Sequence, residues 1–119
     1  MVITVAVVDD DLGMLTAVER LLNAHGYGTV VFKSAEDFLD HGDQSKLTCM
    51  VLDVNLTGMS GIELMRVMRS SGSTLPVVFL TGDNDEDKRV ITLREGGFAF
   101  LRKPFSGNML IETIKKAAS

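Results

Sequence analysis

The sequence predicts an α/β fold, a three-layer sandwich in which a five-stranded parallel sheet is flanked by five helices. Short apolar runs rich in β-branched and aromatic residues alternate with amphipathic segments of helical period along the whole chain. The first, third and fourth runs are almost uninterrupted, as strands covered on both faces must be. A chain of 119 residues, 45% hydrophobic and 24% charged, is enough for one ordinary core, and it shows no repeat, low-complexity stretch or long linker. Right-handed crossovers between parallel strands then make an open sandwich the natural packing.

The first strand is expected over residues 2–8 and runs into Asp9, Asp10 and Asp11. A helix follows with Leu12, Leu15, Val18 and Leu22 on one side, Glu19, Arg20 and Asn23 on the other, and a stop at His25-Gly26. Asp10 or Asp11 is expected to cap it. The second strand is expected over residues 29–32; Ser34 with Asp37 then starts a short helix ending near His41. Residues 49–52 form the third strand. Ser60 and Glu63 make an S-x-x-E capping box ahead of Ile62, Met65 and Met68. The fourth strand covers residues 77–80, and the fourth helix covers 85–95, acidic at its start with Arg94 near its end. Residues 98–101 give the fifth strand. The fifth helix, over 106–118, carries Leu110, Ile114 and Ala117 on one face. Met14, Met65, Met68 and Met109 sit at helical spacing and are expected to pack in the core, as is the lone Cys49.

Composition excludes several functions. A net charge of −4, a pI near 5.0 and no run of Lys or Arg longer than two argue against direct nucleic-acid binding. No apolar run approaches the length that crosses a bilayer, and the apolar start lacks the basic flank of a signal peptide. One cysteine cannot form an internal disulfide, which favours a reducing, cytoplasmic location.

In an open α/β sheet, ligands bind beyond the carboxyl ends of the strands, where the strand order reverses. Those ends carry Asp9, Asp10 and Asp11 after the first strand, Asp53 after the third, Thr81-Gly82 after the fourth and Lys103-Pro104 after the fifth. Singly, each has a plain role as a cap, a turn residue or a solvated surface charge. Together, four separate segments deliver acids, a hydroxyl and a lysine to one edge. Clustered carboxylates repel unless a cation sits among them, and hard oxygen donors suit magnesium, which also binds phosphate. Thr81 can donate to a phosphoryl oxygen and Lys103 can hold an anionic group. The set fits phosphoryl transfer to a carboxylate, in which positioning and charge neutralisation do most of the work.

The segments VVDDD, VLDVNLTGMSG, VVFLTG and FAFLRKPF resemble the signature blocks of response-regulator receiver domains, in the same order, over essentially the whole chain. The blocks KSAEDFL, FLTGDND and LRKPF are most similar to receivers of the FixJ and NarL type, which are attached to helix-turn-helix output domains. The resemblance implies a flavodoxin-like strand order of 2-1-3-4-5, with residues 1–119 forming one receiver domain and any output domain absent from them. It implies Asp53 as phosphoacceptor, with Asp9, Asp10, Asp53 and the Asn55 backbone carbonyl holding Mg2+, or Mn2+ in its place. Thr81 and Lys103 would bind the phosphoryl group, and Lys103-Pro104 would be a cis peptide. Gly61 would serve a close turn into the third helix. Thr81 and Phe100 would act as the switch pair, and Asn55 and Asp83 would tune the phosphoryl lifetime. Thr57 stands where the family often has proline, which suggests a less stiff loop after Asp53.

The implied function is regulatory rather than enzymatic. A sensor histidine kinase or phosphotransfer protein would phosphorylate Asp53, and the face made by the fourth helix, fifth strand and fifth helix would change, with a homodimer as one outcome. Transcription control would run through an output domain; the alternative is a stand-alone receiver working as a phosphorelay or interaction switch. A Mg-dependent phosphatase on the same fold would want a D-x-D motif after the first strand and a cap domain. A flavodoxin-like cofactor binder would want a Ser/Thr/Gly-rich loop where Asp9, Asp10 and Asp11 stand.

Overall fold

A computed structural model describes residues 2–82 and 86–119. Its elements follow the expected alternation: β1 (Thr4–Val8), α1 (Leu12–Ala24), β2 (Gly28–Phe32), α2 (Ala35–His41), β3 (Cys49–Asp53), α3 (Gly61–Ser70), β4 (Val77–Thr81), α4 (Glu86–Arg94), β5 (Ala99–Arg102) and α5 (Gly107–Ala118). The strands form a single parallel sheet in the order β2-β1-β3-β4-β5. β1 pairs with β2 on one side and β3 on the other, so the reversal point lies between the ends of β1 and β3.

Alternation along the strands sorts the core into two layers. Ala6, Val8, Met50, Leu52, Val77 and Phe79 pack against Phe38 of α2 and Leu64, Met65 and Met68 of α3. Val5, Val7, Cys49, Val51, Val78 and Leu80 face Leu15, Val18 and Leu22 of α1 and Leu110, Ile111 and Ile114 of α5. β3 and β4 are buried along their whole length, as their continuous apolar sequence requires. Each large side chain fully buried here contributes about 1.5–3 kcal/mol relative to exposure.

The helix starts are set by side-chain caps. Asp11, not Asp10, caps α1, its carboxylate accepting from the N–H groups of Gly13 and Met14. Ser34 and Ser106 cap α2 and α5, and Ser60 with Glu63 forms the full reciprocal box on α3. Gly61 is required by space: a Cβ there would run into the backbone carbonyl of Asp53 and the Cα of Val54.

Some expectations need correction. Met109 is 53% exposed rather than core, because α5 turns Leu110, Ile111, Ile114 and Ala117 inward and leaves position 109 on the outer side. Met14 is only half-buried, and Leu12, in the first turn of α1, faces solvent. β1 starts at Thr4 and β5 at Ala99, leaving Val2 and Phe98 exposed outside the strands. Met65, Met68 and Cys49 are fully buried as expected, and burial pushes the Cys49 thiol up to about 12. No helix among the described residues is long and apolar enough to cross a membrane.

Candidate functional site

The strand ladder itself delivers the acids. The N–H of Asp9 donates to the Phe32 carbonyl at 3.2 Å, prolonging the β1–β2 pairing one residue past β1. Asp9 is thereby carried into the interior, 1% exposed, where its Oδ1 accepts from the N–H of Asp11 at 2.9 Å. Asp53 closes β3, is 5% exposed and pairs in register with Leu80; its Oδ1 accepts from the N–H of Asn55 at 3.0 Å. Lys103 follows β5, its N–H donating to the Thr81 carbonyl at 2.7 Å. From there Nζ reaches Asp9 Oδ2 at 3.2 Å and Asp53 Oδ2 at 3.3 Å. The Lys103-Pro104 peptide is cis. Asp10 lies at the exposed rim, where its Oδ2 accepts from both the N–H and the hydroxyl of Thr57, each at 3.0 Å. One oxygen from each of Asp9, Asp10 and Asp53 falls within 4.8 Å of the others.

The electrostatics are unbalanced. Burial raises the pKa of Asp53 and the neighbouring charge of Asp9 raises it further, while the Asn55 N–H and Lys103 pull it back; the net shift is upward. For Lys103, burial disfavours the cation, but the combined attraction of Asp53 and Asp9 outweighs it and the pKa rises. One lysine therefore serves two buried carboxylates, with a third at the rim, and the surplus of negative charge favours an added cation. Three carboxylate oxygens this close, open to water on the Asp10 side, make an acidic pocket that suits a hard divalent ion keeping several waters.

Thr81 ends β4, is 1% exposed, and its Oγ1 accepts from Asn55 Nδ2 at 3.3 Å. The register pairs Phe79 with Phe100 and Thr81 with Arg102, so Thr81 and Phe100 share one face of the sheet. Phe100 is partly buried against the α2–α3 side of the core. Asp83, the other expected tuning residue, lies outside the described residues.

Three contributors escaped the sequence reading. Lys88 of α4 donates to Asn55 Oδ1 at 2.7 Å, linking that helix to the lip of the site. Glu36 of α2 accepts from the N–H of Met59 at 3.1 Å, which fixes the far end of the β3–α3 loop. Thr57, which in the sequence marks only the lack of a proline, is a partner of Asp10. These contacts span 33, 23 and 47 residues, and no local pattern announces them.

A doubly wound parallel sheet whose reversal point gathers three carboxylates, a lysine and a threonine defines a receiver-type α/β domain. Comparison with known proteins gives the family: the model for the response regulator receiver domain matches residues 5–115, and the chain belongs to that family. It is 35% identical over 111 residues to the transcriptional regulatory protein FixJ of Bradyrhizobium diazoefficiens, covering 93% of this chain and 54% of that protein. It is 33% identical over 114 residues to the transcriptional regulatory protein TdiR of Thauera aromatica, covering 96% of this chain and 50% of that one. Among solved structures it superposes on the response regulator StyR with a TM-score of 0.92 at 34% identity, covering 99% of this chain and 60% of that one. The chain thus spans about half the length of the curated relatives it matches.

Proposed function

We propose that Asp53 is the phosphoacceptor of this receiver domain and that its phosphorylation by a sensor histidine kinase or phosphotransfer protein controls an output. The observation that carries the reading is Lys103 Nζ placed between the buried carboxylates of Asp9 and Asp53, at 3.2 and 3.3 Å, with the Asp10 carboxylate alongside. Asp53 attacks the phosphorus of a phosphohistidine; the P–N bond breaks and the imidazole leaves with the electron pair, to be protonated by solvent. Mg2+, or Mn2+, held by Asp9, Asp10, Asp53 and the Asn55 carbonyl would neutralise charge on the phosphoryl oxygens and align them for in-line attack. Lys103 exchanges its contact with the Asp53 carboxylate for one with the phosphoryl group, so its charge is in place before transfer. The Thr81 hydroxyl donates to the same group. Water later hydrolyses the acyl phosphate, with Asn55 and Asp83 setting the rate.

Output follows from the same residues. Thr81 drawn toward the phosphoryl group vacates space into which Phe100, on the same face of the sheet, can turn. That biases the face made by α4, β5 and α5, which would join two copies of the domain. Residues 1–119 act in this reading as a receiver unit, and the names of FixJ and TdiR support transcription as the controlled process.

The test is to treat the protein with a small acyl-phosphate donor and Mg2+ and follow its intact mass. The expected result is one added phosphate, labile in alkali, absent without divalent ion and absent in Asp53→Asn. A phosphate retained by Asp53→Asn at parental yield would overturn the assignment.

A further inference from the structure

The β3–α3 loop carries Asn55, Leu56, Thr57, Gly58 and Met59 and contains no proline. Side-chain ties take the place of ring stiffness. At its far end, the Met59 N–H donates to Glu36 Oε2, and this hydrogen bond holds the Glu36 carboxyl below its ordinary range. Gly58, at φ +80°, lies so close to the same carboxylate that a Cβ would come within 2.6 Å of Oε2. Thr57 is therefore presented from a loop anchored on α2. It turns two donors, backbone N–H and Oγ1, onto one oxygen of Asp10, each at 3.0 Å. A proline at this position could supply neither donor. Asp10 needs such help more than its neighbours: Asp9 and Asp53 are immobilised by burial and by Lys103, whereas Asp10 is exposed.

We propose that Thr57 is a positioning residue of the cation site, holding the Asp10 carboxylate beside those of Asp9 and Asp53 and so setting the affinity for a divalent ion. The proposal rests on the reading that these three carboxylates bind Mg2+. Groups that orient a metal ligand without touching the metal typically change affinity by about 10–100-fold when removed. Thr57→Val keeps the shape and the N–H but removes the hydroxyl, so the low end, about tenfold, is expected.

Titrating MgCl2 into the unphosphorylated protein by calorimetry tests this, with thermal unfolding in EDTA run beside it. Thr57→Val should bind about tenfold more weakly while its melting temperature in EDTA stays at the parental value, and Thr57→Ser should restore parental binding. Thr57→Val that binds as tightly as the parent, or more tightly, overturns the proposal, as does Thr57→Ser failing alongside it. Asp10→Asn separates this from the underlying reading. If Asp10→Asn binds Mg2+ as the parent does, the assignment of the site itself has failed. If Asp10→Asn is weakened and Thr57→Val is not, only the role of Thr57 has.

Discussion

α3 and α4 are neighbours, bridged by Arg66 and Glu95, but are attached to the molecule differently. α3 buries Leu64, Met65 and Met68 completely and sets Gly61 against the backbone of β3. α4, among the described residues, buries only Thr92, while Val90 and Ile91 are 39% and 38% exposed. Polar contacts hold it: Arg66 of α3 grips Glu95 just past its end, Arg102 and Arg89 meet Glu86, and Lys88 reaches Asn55. Exposed ion pairs contribute about 0–1 kcal/mol each, against several for a packed apolar stripe. Elements secured in that way open at low free energy. The acids that would do the chemistry thus stand on the firm part of the molecule, and the helix that would carry the signal is the loosely held one.

The contrast breaks most visibly under truncation. Leu64→Ala should cost about 2–5 kcal/mol, since it empties a fully enclosed position. Ile91→Ala on α4 should stay below about 1 kcal/mol. Urea unfolding of both variants measures the difference, and equal losses would show that α4 is packed as firmly as α3.

The firm side carries its own strain, in the form of charge. The folded-state pKa of Asp53 is raised, by burial first and by Asp9 next. Its contribution to stability is therefore full below the ordinary carboxylate pKa, about 3.9, and is lost as pH rises through the folded value. In EDTA at neutral pH, Asp53→Asn should melt at a higher temperature than the parent, and the gap should close on acidification to about pH 4. Saturating Mg2+ should stabilise the parent and not the variant, reversing the order. Thermal scans at two pH values, with and without Mg2+, check both halves of this.

A smaller effect is expected on the polar side. Arg66 binds Glu95 through Nε and one terminal nitrogen, at 2.8 and 2.9 Å, but the two side chains are 56% and 31% exposed. Arg66→Gln should lower the melting temperature slightly at low salt and by less in 1 M NaCl. A double-mutant cycle with Glu95→Gln isolates the pair, and a coupling indifferent to salt would mean that the contact is more than a surface ion pair.

What was legible in the sequence divides along the same line. The firm side could be read because its signals are local: continuous apolar strands, the S-x-x-E box at Ser60, and acids placed at strand ends. Asp9, Asp53 and Lys103 were found because a parallel sheet sends every strand end to one edge. The strand order came from the family resemblance, since alternating strands and helices alone leave it open. Misplaced residues sit where local pattern is ambiguous. Met109 has the polar Glu112 and Thr113 three and four positions on, and the neighbouring Leu110, Ile111, Ile114 and Ala117 take the inward positions of α5. The ties of Thr57 to Asp10 and of Lys88 to Asn55 could not be read, because a threonine in a loop and a lysine on a polar helix look solvated until the fold brings their partners near.

Lys88 gives the sharpest probe of the loosely held helix. Its ammonium donates to Asn55 Oδ1 at 2.7 Å, and Asn55 Nδ2 donates to Thr81 Oγ1 at 3.3 Å, so α4 is connected to the buried threonine through one amide. Lys88→Met preserves the aliphatic stem and removes the donor. Global stability should move by no more than about 0.5 kcal/mol, since the helix adds little to the core. Local stability should move more: about 1 kcal/mol off the opening free energy of α4 speeds hydrogen exchange of its amides roughly fivefold and leaves those of α3 unchanged. Exchange measured by NMR on the unphosphorylated protein distinguishes the cases. An equal change in both helices, or none in either, would mean that Asn55 does not tether α4. A change confined to α4, with shifted resonances at Asn55 and Thr81, is what a polar link between the β3–α3 loop and a weakly packed helix requires.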